Sequence, residues 1–210
     1  MNTESIEQIA SFWLGPSLNG PETAAARRDW WYQGGTVVDD EIRARFGTLV
    51  DQACAGGLAD WQASAQGSLA LILLLDQFTR NLFRHTPQAY AGDPRAFEVV
   101  KQAIELKHDQ QLHPVAKIWL YHPFHHAESI AEQGAGMALL GGVLQTAPIE
   151  WHPYVERSIS GWGRHRNIVA RFGRFPHRNS VLDRASTDEE REFMNDGAEA
   201  FGQGTQATSG

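Results

Sequence analysis

Seven consecutive apolar residues, Leu69 to Leu75, run directly into Asp76. The run is far shorter than the about 20 residues needed to span a membrane, and no solvent-facing element has use for it. It therefore reads as a central helix, Leu69 to Arg84, buried on all sides and carrying a carboxylate at the edge of the core. The rest of the chain must supply the apolar faces that wrap it. Of the 210 residues 42% are hydrophobic, with seven Trp and ten Phe, which excludes bulk disorder. The length suits one sizeable domain, expected over residues 1–202. The apolar-poor end GQGTQATSG makes 203–210 a disordered tail.

Helical spacing recurs along the chain. Ile6, Ile9 and Trp13 share one face, closed by Gly15 and Pro16. The pair Trp30 and Trp31 falls in a stretch read as irregular. Asp39 or Asp40 can cap a helix whose stripe is Ile42, Phe46, Leu49 and Ala53. Asp93 with Pro94 reads as an N-cap followed by proline at the first helical position, ahead of Phe97, Val100 and Ile104. A further helix begins near Pro114, and Pro123 kinks or restarts it. Helical signal continues through HHAESIAEQ and MALLGGVLQ, and again around Ile168, Val169, Phe172 and Phe175. In STDEE, Ser186 with Glu189 or Thr187 with Glu190 offers a capping box. No stretch alternates apolar and polar residues between hairpin turns, so the expected fold is all-α, built from antiparallel helix pairs. The residues alone leave a bundle and a repeat stack equally open.

A net charge of −7 and a pI near 5.7 argue against a nucleic-acid or anionic-membrane partner. The lone Cys54 and the acidic opening MNTESIEQIA point to the cytoplasm. Local basic clusters then need local reasons, and three phrases carry them.

In LLLDQFTRNLFR, Asp76 and Arg80 stand i,i+4, either as an internal ion pair or as the lining of a site, with Asn81 and Arg84 beyond. YHPFHHAES puts His122, His125, His126 and Glu128 within seven positions. The phrase lacks an HExxH pattern or a cysteine pair, so neither a metal nor another cofactor is expected. In HRNIVARFGRFPHRN, the residues Asn167, Arg171, Arg174 and Arg178 step by four, three and four. That spacing makes one stripe on a helix, with Pro176 ending it in a turn that presents His177, Arg178 and Asn179. Three arginines so close repel unless carboxylates such as Asp76 and Glu128, or an anionic ligand, sit between them.

These phrases, in this order, with FW near the N-terminus and STDEE near the C-terminus, resemble a bacterial family called domain of unknown function 924 over about residues 6 to 201. The resemblance implies a tetratricopeptide-repeat-like stack of helix pairs. The residues matching its phrases are Asp76, Gln77, Arg80, Asn81, His126, Glu128, His165, Arg171, Arg174, His177, Arg178 and Asn179. The chain departs from them at Thr79, usually proline, and at His122, usually leucine.

Three functions are compatible with these residues. In the first, an interior pocket binds a small carboxylate or phosphate through Arg80, Asn81, Arg171, Arg174, His177, Arg178 and Asn179. His126 or His165 then moves protons, oriented by Glu128 or Asp76. The second is a helical-repeat scaffold for a protein or peptide partner. The third is an internal ion-pair network that sets helix register. The direction in which the polar residues point separates them.

Overall fold

A computed structural model describes residues 3–196. The expected tail at 203–210 lies outside them. Every regular element among the described residues is helical. The helices are α1 Thr3–Leu14, α2 Pro21–Gln33, α3 Gly35–Cys54, α4 Ala65–Ile72, α5 Thr79–Leu82, α6 Asp93–Glu105, α7 Pro114–Leu120, α8 His122–His126, α9 Ile130–Thr146, α10 His152–Phe172 and α11 Asp188–Asn195. Short 3-10 turns lie between several of them.

The apolar run does form the centre. Leu69 to Leu75 are all buried, and α1, α3, α6 and α7 pack around the rod that α4 and α5 form. Aromatic rings tie this core together. Trp13 and Trp31 meet Trp119 at 5.2 and 4.9 Å, while Phe46 stacks on Phe78 at 5.5 Å. The Trp31 indole N–H donates to the Trp13 carbonyl at 2.8 Å. Trp30 and Trp31 thus belong to the helix α2, not to an irregular stretch; their rings have apolar partners on α1 and α7 that local spacing does not reveal.

Between α4 and α5 the rod widens into a π-helical segment, Leu73–Phe78. Such wide turns release backbone carbonyls and often mark functional positions. Here the released groups find side-chain donors. The Thr79 hydroxyl donates to the Leu75 carbonyl at 2.8 Å, and the Arg80 guanidinium to that of Asp76 at 2.7 Å. Gly92, just before α6, lies against the Leu75 carbonyl so closely that a Cβ has no room. That approach carries Asp93 to Arg80. Asp93 therefore does not cap α6 with its side chain, contrary to its expected role; its carboxylate is taken by the arginine.

Two other local expectations change for similar reasons. α3 begins at Gly35 and runs through Asp39, whose carboxylate is buried against Asn81 and Arg84 instead of capping a helix. α10 ends at Phe172 because Gly173 takes a left-handed conformation (φ 70°) and closes the C-terminus. Arg174 and Arg178 consequently leave the helix, and the expected stripe with Asn167 and Arg171 is broken. Pro123 does restart the chain as α8, and Thr187 with Glu190 forms the capping box of α11.

The close approach at Gly92 is testable. Gly92→Ala meets backbone that no rotamer change can clear and is expected to cost about 1–3 kcal/mol. Gly134→Ala in α9 meets nothing within 4 Å and should stabilise by up to about 1 kcal/mol. Urea unfolding of both variants checks the pair; equal effects would contradict the packing described.

Candidate functional site

Arg80 is the hub of the polar interior. It is buried and forms a two-pronged bond with Asp93, at 2.7 and 2.9 Å, and an ion pair with the fully buried Asp76 at 3.1 Å. On its other side Asp76 receives the Nδ1–H of His126, at 2.8 and 2.9 Å to the two carboxylate oxygens. Gln77 also donates to Asp76. An unpaired carboxylate at this depth would not be tolerated, and three donors converge on it. The π segment is what turns Asp76 and Arg80 toward α6 and α8.

Five histidines gather beside this hub. His122 stacks on Trp119 at 4.2 Å with 11° between planes, and His125 stacks on Trp162 at 4.6 Å. His125 and His165 lie 3.8 Å apart, and His177 packs near Phe175. The Nδ1–H of His122 donates to the Ile118 carbonyl at 2.8 Å, and that of His165 to the Gly161 carbonyl at 3.4 Å. Burial dominates their titration. It lowers His122 to about 4 and His165 and His177 to about 3, and it pushes His125 and His126 well below the ordinary imidazole value. His126 stays neutral beside Asp76 because burial disfavours its charged form and Arg80, then His122 and Arg178, repel a further positive charge. In this state Nδ1 carries the proton and Nε2 keeps a lone pair, which is the form of an oriented general base.

These groups line a cavity of about 500 Å³ that opens between α2 and α10. Its described lining includes six arginines and five histidines against one carboxylate, Asp29. Tyr32, Arg157 and Arg164 stand exposed at the mouth; His122, His125, Trp162 and Arg178 lie buried within. A second cavity of about 380 Å³ meets the first at His126 and Arg178 and is lined by Asp76, Asp93, Glu98 and Glu128. Among the described residues no three His, Cys, Asp or Glu side chains are arranged to hold a metal ion.

Arg178 is the least well paired of the buried cations. It is 6% exposed, lies over Tyr90 at 4.7 Å and Phe175 at 4.5 Å, and approaches Asp93 only to 3.9 Å. Its Nε–H has no acceptor. Burial lowers its affinity for a proton, and the neighbouring Arg80 adds to the effect.

The family model of a bacterial protein of unknown function (DUF924) matches residues 9–198. The chain belongs to this family. No curated protein matches it. Among solved structures, a protein of unknown function from Agrobacterium tumefaciens is similar, with 35% identity over 93% of this chain and 99% of that one, at a TM-score of 0.77.

The family phrases do not converge as one unit. Asp76, Arg80, Asn81, His126, His165, His177 and Arg178 come together at the two cavities. Glu128 reaches only the second; it accepts from Arg184 at 2.6 and 3.0 Å and from the Phe175 backbone N–H at 2.7 Å, so it anchors the turn instead of orienting a histidine. α8 ends at His126, so Glu128 lies beyond the helix that carries the histidines. Arg171 is exposed on Glu189, and Arg174 bonds Glu190 at 2.6 and 2.8 Å. Asn179 donates to Ser186 and Glu190 beneath the turn. These last three residues fasten α11 and do not face the cavity. Missed in the sequence were Arg28, Tyr32, Tyr90 and the α10 series Tyr154, Arg157, Gly161 and Arg164. That series steps by three and four and was a legible signal.

The histidines give the fold a signed pH dependence. Each holds its neutral form when folded but titrates near 6.5 when unfolded. The unfolded chain therefore binds more protons as pH falls. Stability is full above about pH 6.5 and declines toward pH 4, by up to about 1.4 kcal/mol per pH unit for each histidine. Urea unfolding between about pH 7 and pH 5 measures it, and a flat profile would be incompatible with neutral buried imidazoles.

Proposed function

We propose that the larger cavity binds a small anionic ligand, a carboxylate or a phosphate, and that His126, oriented by Asp76, serves as its acid–base group. The observation that carries this is Arg178, which lines the cavity while buried, meets its nearest carboxylate, Asp93, only at 3.9 Å and leaves its Nε–H without an acceptor. A buried guanidinium without a full set of acceptors is costly, and an anion between Arg178 and its neighbours would remove that cost. The volume falls within the range of small-molecule sites. His126 has the neutral tautomer needed to take a proton through Nε2, and Asp76 stabilises the imidazolium that results.

A tetratricopeptide-like stack binding a peptide would place its distinctive residues along an open groove. Here they are mostly enclosed, which favours a small ligand. A purely structural network would pair every charge, and Arg178 argues against it. Among the described residues no helix is long and apolar enough to cross a membrane.

Thermal melts against inorganic phosphate and a panel of small carboxylates test this. A ligand at 100 times its dissociation constant should stabilise the protein by about 2.7 kcal/mol. Arg178→Gln should abolish the shift. Arg174→Gln, which loses only the bonds to Glu190 and to the Ala185 carbonyl, should retain it. The absence of any shift in the unsubstituted protein would end the proposal.

A further inference from the structure

His122 is built into the cavity wall with unusual constraint. Its ring lies flat on Trp119 at 4.2 Å and meets the edge of Trp162 at 5.5 Å, so it cannot swing. Its Nδ1–H is committed to the Ile118 carbonyl at 2.8 Å, which leaves the lone pair on Nε2. That nitrogen has no hydrogen-bond partner among the described residues. Unlike His125 Nδ1 and Trp119 Nε1, it is not sealed in protein, and the residue lines the cavity while being 4% exposed overall. A buried acceptor facing a cavity calls for a donor. An apolar side chain would have filled the same wall without that demand.

The neighbouring charged groups cannot meet it from their present positions. Arg80 is committed to Asp76 and Asp93, and Arg84 to Asp39. His126, 5.6 Å away between ring centres, is itself an acceptor through Nε2. The cavity therefore offers donors from arginine and acceptors from two fixed imidazoles. A bare anion satisfies only the first kind.

We propose that His122 is a specificity-determining residue that accepts a hydrogen bond from an O–H or N–H group of the ligand. The ligand is then a hydroxylated or aminated carboxylate or phosphate. This rests on the cavity being an anion site. Burial keeps His122 neutral at physiological pH, so the acceptor persists there. The group donating to His122 also pins the ligand beside His126, whose Nε2 is left for the proton that moves.

Isothermal titration with matched anions tests it: malate and aspartate against succinate, and glycerol phosphate against propyl phosphate. The protic member of at least one pair should bind roughly tenfold or more tightly, as expected for a site whose acceptor is otherwise left unmet. His122→Leu should remove that preference while leaving the affinity for the partner lacking the group unchanged, and His122→Gln should restore part of it. If succinate and propyl phosphate both bind as well as their protic counterparts, His122 has no such role, although the anion site stands. If none of the five binds, the anion site itself fails. A preference that survives His122→Leu would also overturn the assignment.

Discussion

The polar cluster between the central rod and α6 depends on one guanidinium. Arg80 holds Asp76 and Asp93 together across the packed faces of the central rod and α6, and it also takes the Asp76 carbonyl that the π segment releases. A buried and a half-buried carboxylate sharing one site repel unless a cation stands between them, and Arg80 supplies it, two-pronged toward Asp93. The wide turn and Gly92 make the geometry possible: one rotates Asp76 and Arg80 outward, the other lets α6 come near enough for Asp93 to arrive. Removing either partner would strand a charge in the core. The apolar run and the ion cluster are thus one construction.

The same cluster sets the chemistry of the histidines. Burial, with the positive charge of Arg80 close by, keeps His126 neutral while it donates to the Asp76 carboxylate. Indole rings on α7 and α10 hold His122 and His125 in plane, and those rings belong to the aromatic core or pack beside it. Stability and site geometry are therefore coupled. A fault in the packing around Trp119 would be felt first as a misplaced imidazole.

In the family phrase RFGRFPHRN the arginines divide their labour. Gly173 ends α10 and sends the chain into a tight turn. Arg171 and Arg174 then lie on the α11 side, where Glu189 and Glu190 take them. Arg178 points the other way, into the interior between Tyr90 and Phe175. Neighbouring residues of like charge thus serve unlike purposes.

The sequence by itself determined the helical class, the buried central run and several element ends, because caps, prolines and apolar periodicity act over a few residues. Thr187 with Glu190 and the restart at Pro123 were legible for that reason. It also marked Asp76, Arg80, His126 and Arg178 as charges that a plain core does not need. The i,i+4 spacing also offered the Asp76–Arg80 ion pair that forms, but not the remaining partners. Asp93 looked like a helix cap and proved to be the second carboxylate on Arg80; Glu128 looked like an orienting acid and proved to hold Arg184; Asp39 looked like a cap and lies buried against Asn81 and Arg84. Only the tertiary structure decided these, since a carboxylate's local options as cap and its distant options as ion-pair partner have similar energies until packing fixes which cation is near and how far water is excluded.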